Sequence, residues 1–309
     1  MAAGSSLRTF REVILWPALA AGLPWPKGFA LLNAIAARGR IYPETTAEAV
    51  AGAKEVAPIA DETDWKRRYR LTRLVDHCDL FLYRTRGPRW FERYVDVEGE
   101  WPPKGPFIAM TFHWGAGLWA LAQIKAGGVA AQLVTAGFDK TQFRDDALGY
   151  RYALTRNRTV EMAGGAPVIY TGRAATLFQI RIALSRGHAV VALYDIPATM
   201  TARTLRTTVC DRVVELPAGM ASLAAQAGVP VIAFSMGLDY ESGRRRLRIE
   251  PAFVPSSAQD FADRLGNSMT RLLAEDTAAW HFSGLASQFF SRPPTRSPMA
   301  TPIPRADQA

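Results

Sequence analysis

A mixed α/β fold, with a central and largely parallel sheet covered by helices on both faces, is what this sequence predicts. Three observations lead to it. Short, continuous apolar runs recur from residue 107 onward: FIAMTF at 107–112, AVVALY at 189–194 and VPVIAFSM at 229–236. Helical patterns separate them, and strands that are apolar throughout belong in a sheet buried on both sides. The 309 residues are enough for a substantial core, and 49% hydrophobic with 21% charged residues is the composition of a globular enzyme.

Residues 1–38 are read as an N-terminal helical segment suited to a membrane edge. The apolar run Val13–Leu23 is about half the length of a bilayer span, is broken by Pro17, and lies among Arg, Lys and Trp, a pattern of the lipid interface. A helix packed on the body of the protein is the alternative. Residues 39–100 comprise a connecting stretch rich in Ala, Glu, Pro and Thr, then two helices within 65–94 that Gly87-Pro88 separates and whose Arg and Lys form a basic face.

Residues 101–291 carry the α/β domain. Strands are expected at 107–112, 131–135, 166–170, 189–194, 229–236 and 247–253. Helices are expected at 116–125, 141–154, 174–186, 217–226 and 260–276, with 207–216 an extended arm or hairpin strand and ESGRRR a turn. The proline-rich tail, 292–309, has too little apolar content to fold.

The net charge of +9 suits an anionic membrane or an acidic carrier protein, whereas no finger, basic-zipper or RNA-recognition pattern accompanies it, which argues against nucleic acid. Two cysteines make no disulfide framework, Cys78 reads as a small buried residue, and the four histidines have no zinc-like spacing, so no metal is expected.

His113 is the candidate base. It follows the strand FIAMTF and precedes a glycine-bearing turn and a helix, in the crevice where α/β sheets gather reactive groups. Trp114, Gly115 and Gly117 are the expected substrate-binding members of that turn, the glycines letting backbone approach a ligand. Amides at the start of the next helix suit an oxyanion. A hydrogen-bonded histidine packed against Trp114 and Trp119 is the plainer alternative.

In five places, in order, the chain resembles the lysophospholipid acyltransferase superfamily, and within it the lauroyl/myristoyl acyltransferases of lipid A biosynthesis. These are the N-terminal Arg–Trp–Leu-Pro segment, TFHWGAG, LFQIRIALSRGHAVVALYDIP, VVELPAGMASLAAQAGVPVIAF and AAWHFSGLASQFFSRPP. The resemblance implies acyl transfer from an acyl carrier protein or coenzyme A thioester to a hydroxyl or amine. No cofactor is needed beyond that donor, and the site is the cytoplasmic face of the inner membrane, bound peripherally. It also implies His113 as general base, oriented by an acid five positions later.

That position holds Leu118. Either another acid serves, with Asp195 the candidate because its strand should end beside that of His113, or His113 acts unaided on a more acidic acceptor, or catalysis is lost. Asp195 as a turn residue before Pro197 is its rival role. Arg173, Arg203 and Arg206 are candidates for binding phosphate or phosphopantetheine. Pro217 and Gly219 read as a helix opening that lines the pocket. A non-catalytic acyl-binding or complex-forming protein is the competing function, and a hydrolase ranks last for want of a Gly-x-Ser-x-Gly elbow.

Overall fold

The computed structural model describes residues 2–143, 146–172 and 175–290. The N-terminal half is helical: α1 (Ala2–Thr9), a π turn, α2 (Trp16–Gly22), α3 (Trp25–Ala37), α4 (Pro43–Val56), α5 (Glu62–Arg86) and α6 (Pro88–Tyr94). Alternation follows: β1 (Val95–Glu98), β2 (Phe107–Thr111), α7 (Leu118–Ala126), β3 (Ala131–Ala136), α8 (Ala147–Gly164), β4 (Ile169–Thr171), α9 (Thr176–Ser185) and β5 (Ala189–Leu193). The chain then forms β6 (Thr204–Val209), β7 (Arg212–Pro217), α10 (Ala218–Ala227), β8 (Val231–Leu238), β9 (Arg245–Ile249), α11 (Ala258–Glu275) and α12 (Ala286–Phe289).

One seven-stranded sheet runs β1-β9-β8-β2-β5-β3-β4, and β6-β7 form a separate hairpin. Every pairing in the large sheet is parallel except β8 with β9. The pleat sends alternate residues to opposite faces. Phe107, Ala109, Ala189 and Val191 therefore join the core under α3, α5 and α7, while Ile108, Met110, Val190 and Ala192 join the core under α9, α10 and α11. This mixed, mostly parallel sheet with helices on both faces is the predicted fold class.

Several elements differ from the sequence expectation. The stretch expected to be a connection contains α4, whose Ala49, Val50 and Ala53 pack with Trp65 and Tyr69. Its Gly52 approaches the Ser283 carbonyl so closely that a Cβ would lie 1.8 Å from that oxygen. Strand β1 was not expected, because three of its four residues are exposed and it has no apolar run to announce it. The helix expected at 141–154 begins only at Ala147, where the Asp146 carboxylate accepts the Gly149 amide at 2.9 Å, and continues to Gly164.

The N-terminal segment divides. Trp25, Phe29, Leu32 and Ile35 of α3 are core residues, whereas Leu7, Phe10, Leu19 and Leu23 are exposed. Among the described residues no helix is long and apolar enough to cross a membrane. The expected basic face is paired only in part: Lys66, Arg67 and Arg68 form ion pairs, Arg70 and Arg86 donate to backbone carbonyls, and Arg84, Arg86, Arg89 and Arg93 are exposed. Cys78 is buried as expected. The tail at 292–309 lies outside the described residues.

Candidate active site

Strands β2 and β5 lie side by side and parallel, with Thr111 opposite Leu193. Two residues beyond each partner stand His113 and Asp195, so register alone sets them level at the carboxyl edge of the sheet. The chain also reverses direction of winding about β2, which has β5 on one side and β8 on the other. Such a switch point opens a crevice for a ligand.

The structure places Asp195 directly on His113. The carboxylate is fully buried and receives three N–H donors. The His113 amide donates to both oxygens at 2.9 and 3.0 Å, the ring Nδ1–H donates to Oδ1 at 2.9 Å, and Trp280 Nε1–H donates to Oδ2 at 2.7 Å. Because Oδ1 can only accept, it selects the tautomer with the proton on Nδ1 and leaves the Nε2 lone pair free. Among the described residues nothing hydrogen-bonds Nε2, and the His113 side chain keeps 26% exposure. A carboxylate that anchors the backbone and the ring of one histidine fixes both its position and its orientation.

The segment Trp280–Phe282 completes the arrangement. His281 N–H donates to the His113 carbonyl at 2.7 Å, and His281 Nε2–H donates to the Gly115 carbonyl at 2.6 Å. Phe282 stacks on the His113 ring with centroids 3.7 Å apart. Trp280 is held edge-on by Phe289 and Phe290. Sequence reasoning noticed this segment only as part of a resemblance. The adjacent Trp and His, in a chain with eight and four of them respectively, were the signal available.

Gly115 is fixed by the protein's own contacts as well as lining the cavity beside His113. Its φ is +60°, and a Cβ there would lie 1.8 Å from the Met236 carbonyl oxygen of β8. Its amide is taken by the Ala279 carbonyl and that of Ala116 by Met236. Gly117, by contrast, has open space where a Cβ would stand, at the start of α7, where the Ala120 amide donates back to the Gly117 carbonyl at 3.2 Å and the amides before it have no i−4 partner in the helix.

A cavity of about 350 Å³ adjoins the dyad, lined by His113, Trp114, Gly115 and Gly117 among others. Leu118 forms part of its apolar wall with Leu121, Leu133, Val191 and Phe234. The position where the resembled family has an acid is thus occupied by cavity surface. The predicted arginines do not join this group. Arg206, on β6, pairs with Glu215 and is 79% exposed, Arg203 precedes that strand away from the cavity lining, and Arg173 lies outside the described residues. Pro217 and Gly219 open α10 without lining the cavity.

The wall formed by α5 and α8 is polar. Asp76 and Arg156 pair at 2.9 Å. Burial alone would lift the Asp76 carboxyl, but the Arg156 charge holds it down at about 2, and Asp76 in turn raises Arg156. Burial pushes His77 down to about 3 and His281 down to about 4. Both histidines therefore stay neutral when folded at pH values where an unfolded chain protonates them. The unfolded state binds more protons, so this contribution to stability is present above pH ~6.5 and is lost as pH falls toward 4. Burial lifts Asp79 to about 6, which acts in the opposite sense below that pH. The expected result is a fall in unfolding free energy on acidification from pH 7 to 5. For His77→Gln the slope should be shallower by about 1.4 kcal/mol per pH unit, one proton's worth, as read from denaturant titrations. Equal slopes would contradict it.

No protein-family model matches the chain, and no curated protein matches it either.

Proposed function

We propose that this protein is an acyltransferase that moves an acyl group from an acyl carrier protein or coenzyme A thioester to a hydroxyl or amine, with His113 as general base and Asp195 as its orienting acid. The observation that carries this reading is the free Nε2 of a histidine whose Nδ1–H is held by a buried carboxylate at 2.9 Å, facing a cavity. His113 Nε2 takes the acceptor's proton as its oxygen or nitrogen attacks the thioester carbonyl. The developing oxyanion meets the amides at the start of α7. The C–S bond then breaks, and the departing thiolate takes the proton from the imidazolium. Ester or amide and free thiol are the products, and the base is restored.

The apolar wall around Leu118 suits the acyl portion or the hydrocarbon part of the acceptor. Exposed Leu7, Phe10, Leu19 and Leu23, in a chain of net charge +9, favour peripheral attachment to an anionic membrane surface, the cytoplasmic face of the inner membrane in this reading. The alternative of a non-catalytic acyl-binding protein rested on Leu118, and an acid reaching His113 from β5 takes away its main support.

The test needs no knowledge of the acceptor. Purified protein is incubated with acyl carrier and coenzyme A thioesters, water serving as a poor acceptor, and released thiol is measured with and without candidate acceptors. His113→Ala should lower the rate by about 10³-fold or more, the scale of losing a general base together with its nucleophile activation. Equal thiol release by both proteins would remove His113 from the chemistry.

A further inference from the structure

The cavity beside His113 carries more charge than an acyl-chain slot requires. Its ionisable lining consists of His113, His281, Asp76, Arg156 and Arg73. Asp76 and Arg156 cancel each other as an ion pair. Arg73 is the remaining cation of the lining, and among the described residues it has no ion-pair partner of its own, the Asp195 carboxylate being held by His113 and Trp280.

Arg73 is held in place but not satisfied. Its Nη1 donates to the Tyr69 hydroxyl at 3.0 Å, and its guanidinium lies over the rings of Tyr42 and Tyr69 at 5.5 and 5.4 Å. Among the described residues it has no carboxylate partner. Its Nε is buried without a hydrogen-bond partner among the described residues. A guanidinium has five donors, and Arg73, half-buried and without an ion pair among the described residues, offers the remaining ones to an anion in the cavity. Two tyrosine rings hold this one at the wall of a cavity that also contains the base.

We propose that the acyl acceptor is a small hydroxy or amino acid whose carboxylate binds Arg73 while its hydroxyl or amine meets His113 Nε2. A single carboxylate adds less negative charge near the buried Asp195 carboxylate than a phosphate monoester, which brings about −1.5 to −2 at pH 7. The size agrees, because about 350 Å³ is at the small end of ligand cavities and suits a compact molecule. Calling this molecule the acceptor rests on the acyltransferase reading; its binding at Arg73 does not.

The experiment is calorimetric titration of the full chain with 3-hydroxyhexanoate, 3-hydroxyhexanamide and 3-hydroxyhexyl phosphate, on wild type, Arg73→Gln, Arg73→Lys and His113→Ala. In wild type the acid should bind at least about tenfold tighter than the amide, the scale of one charge-assisted hydrogen bond. Arg73→Gln should reduce the acid to the level of the amide, while Arg73→Lys keeps a preference and shows that the fold tolerates change at this position. His113→Ala should weaken binding of the acid by less than Arg73→Gln does, having lost one neutral hydrogen bond. Because the titration needs no acyl donor, binding of the acid by wild type without thiol release in the transfer assay counts against the acyltransferase reading alone. An unchanged acid-to-amide ratio in Arg73→Gln, tighter binding of the phosphate than of the acid, or no binding of the acid by wild type would each overturn the proposal.

Discussion

Asp195→Asn is expected to lower thioester turnover by about 10³- to 10⁴-fold, the scale seen when a serine-protease triad loses its carboxylate. The geometry says why. Three N–H groups converge on this buried carboxylate, including the ring Nδ1–H of His113 and the indole N–H of Trp280. An amide has one accepting oxygen, and its NH₂ would face a donor. The ring would then turn its protonated nitrogen toward the cavity or lose its anchor, and in either case Nε2 is no longer an aligned base. Stability should fall too, by about 1–3 kcal/mol for one buried polar group left unsatisfied. The two readouts separate the roles. A stability loss with turnover unchanged would make Asp195 a turn residue only, the role its neighbour Pro197 suggested.

The second large effect is on folding. Arg245→Met should cost about 3–5 kcal/mol, measured by denaturant unfolding, because it strands a buried charge. Arg245 and Asp79 are both fully buried and joined by two hydrogen bonds, from Nε and Nη2. The guanidinium lies between the rings of Trp25 and Trp90, 4.2 and 4.7 Å from their centroids, and its Nη1 donates to the Gly243 carbonyl at 2.7 Å. One side chain from β9 thereby ties α3, α5 and α6 to the sheet. The double variant Arg245→Met with Asp79→Leu should recover most of the loss, since both charges are then gone and apolar volume remains. A double variant as unstable as the single would mean that packing, not charge, is what Arg245 supplies.

Arg245 also shows where a linear reading stops. In ESGRRRLRI the three arginines look like a polar turn, and two of them, Arg244 and Arg246, do pair at the surface. Strand alternation places Arg245 on the side of Leu247 and Ile249, facing inward. Whether an inward arginine is tolerable depends on a carboxylate lying 166 residues away in sequence, and no local pattern contains that information. The short, polar strand β1 escaped notice for a related reason, since its pairing with β9 rather than its own residues makes it a strand.

Apolar runs and their spacing determined, by themselves, that the chain folds as a parallel-sheet α/β protein and that His113 follows a strand at its carboxyl end. Both are consequences of local periodicity, which a sequence carries in full. Only the tertiary structure decided which acid meets His113. The two side chains are 82 residues apart and come together through the β2–β5 register. The same holds for Leu118 lining a cavity instead of orienting the base, for Arg73 having no carboxylate partner among the described residues, and for Trp280 and His281 holding the loop. Each depends on which strands become neighbours, and that choice is made by the packing of the whole core.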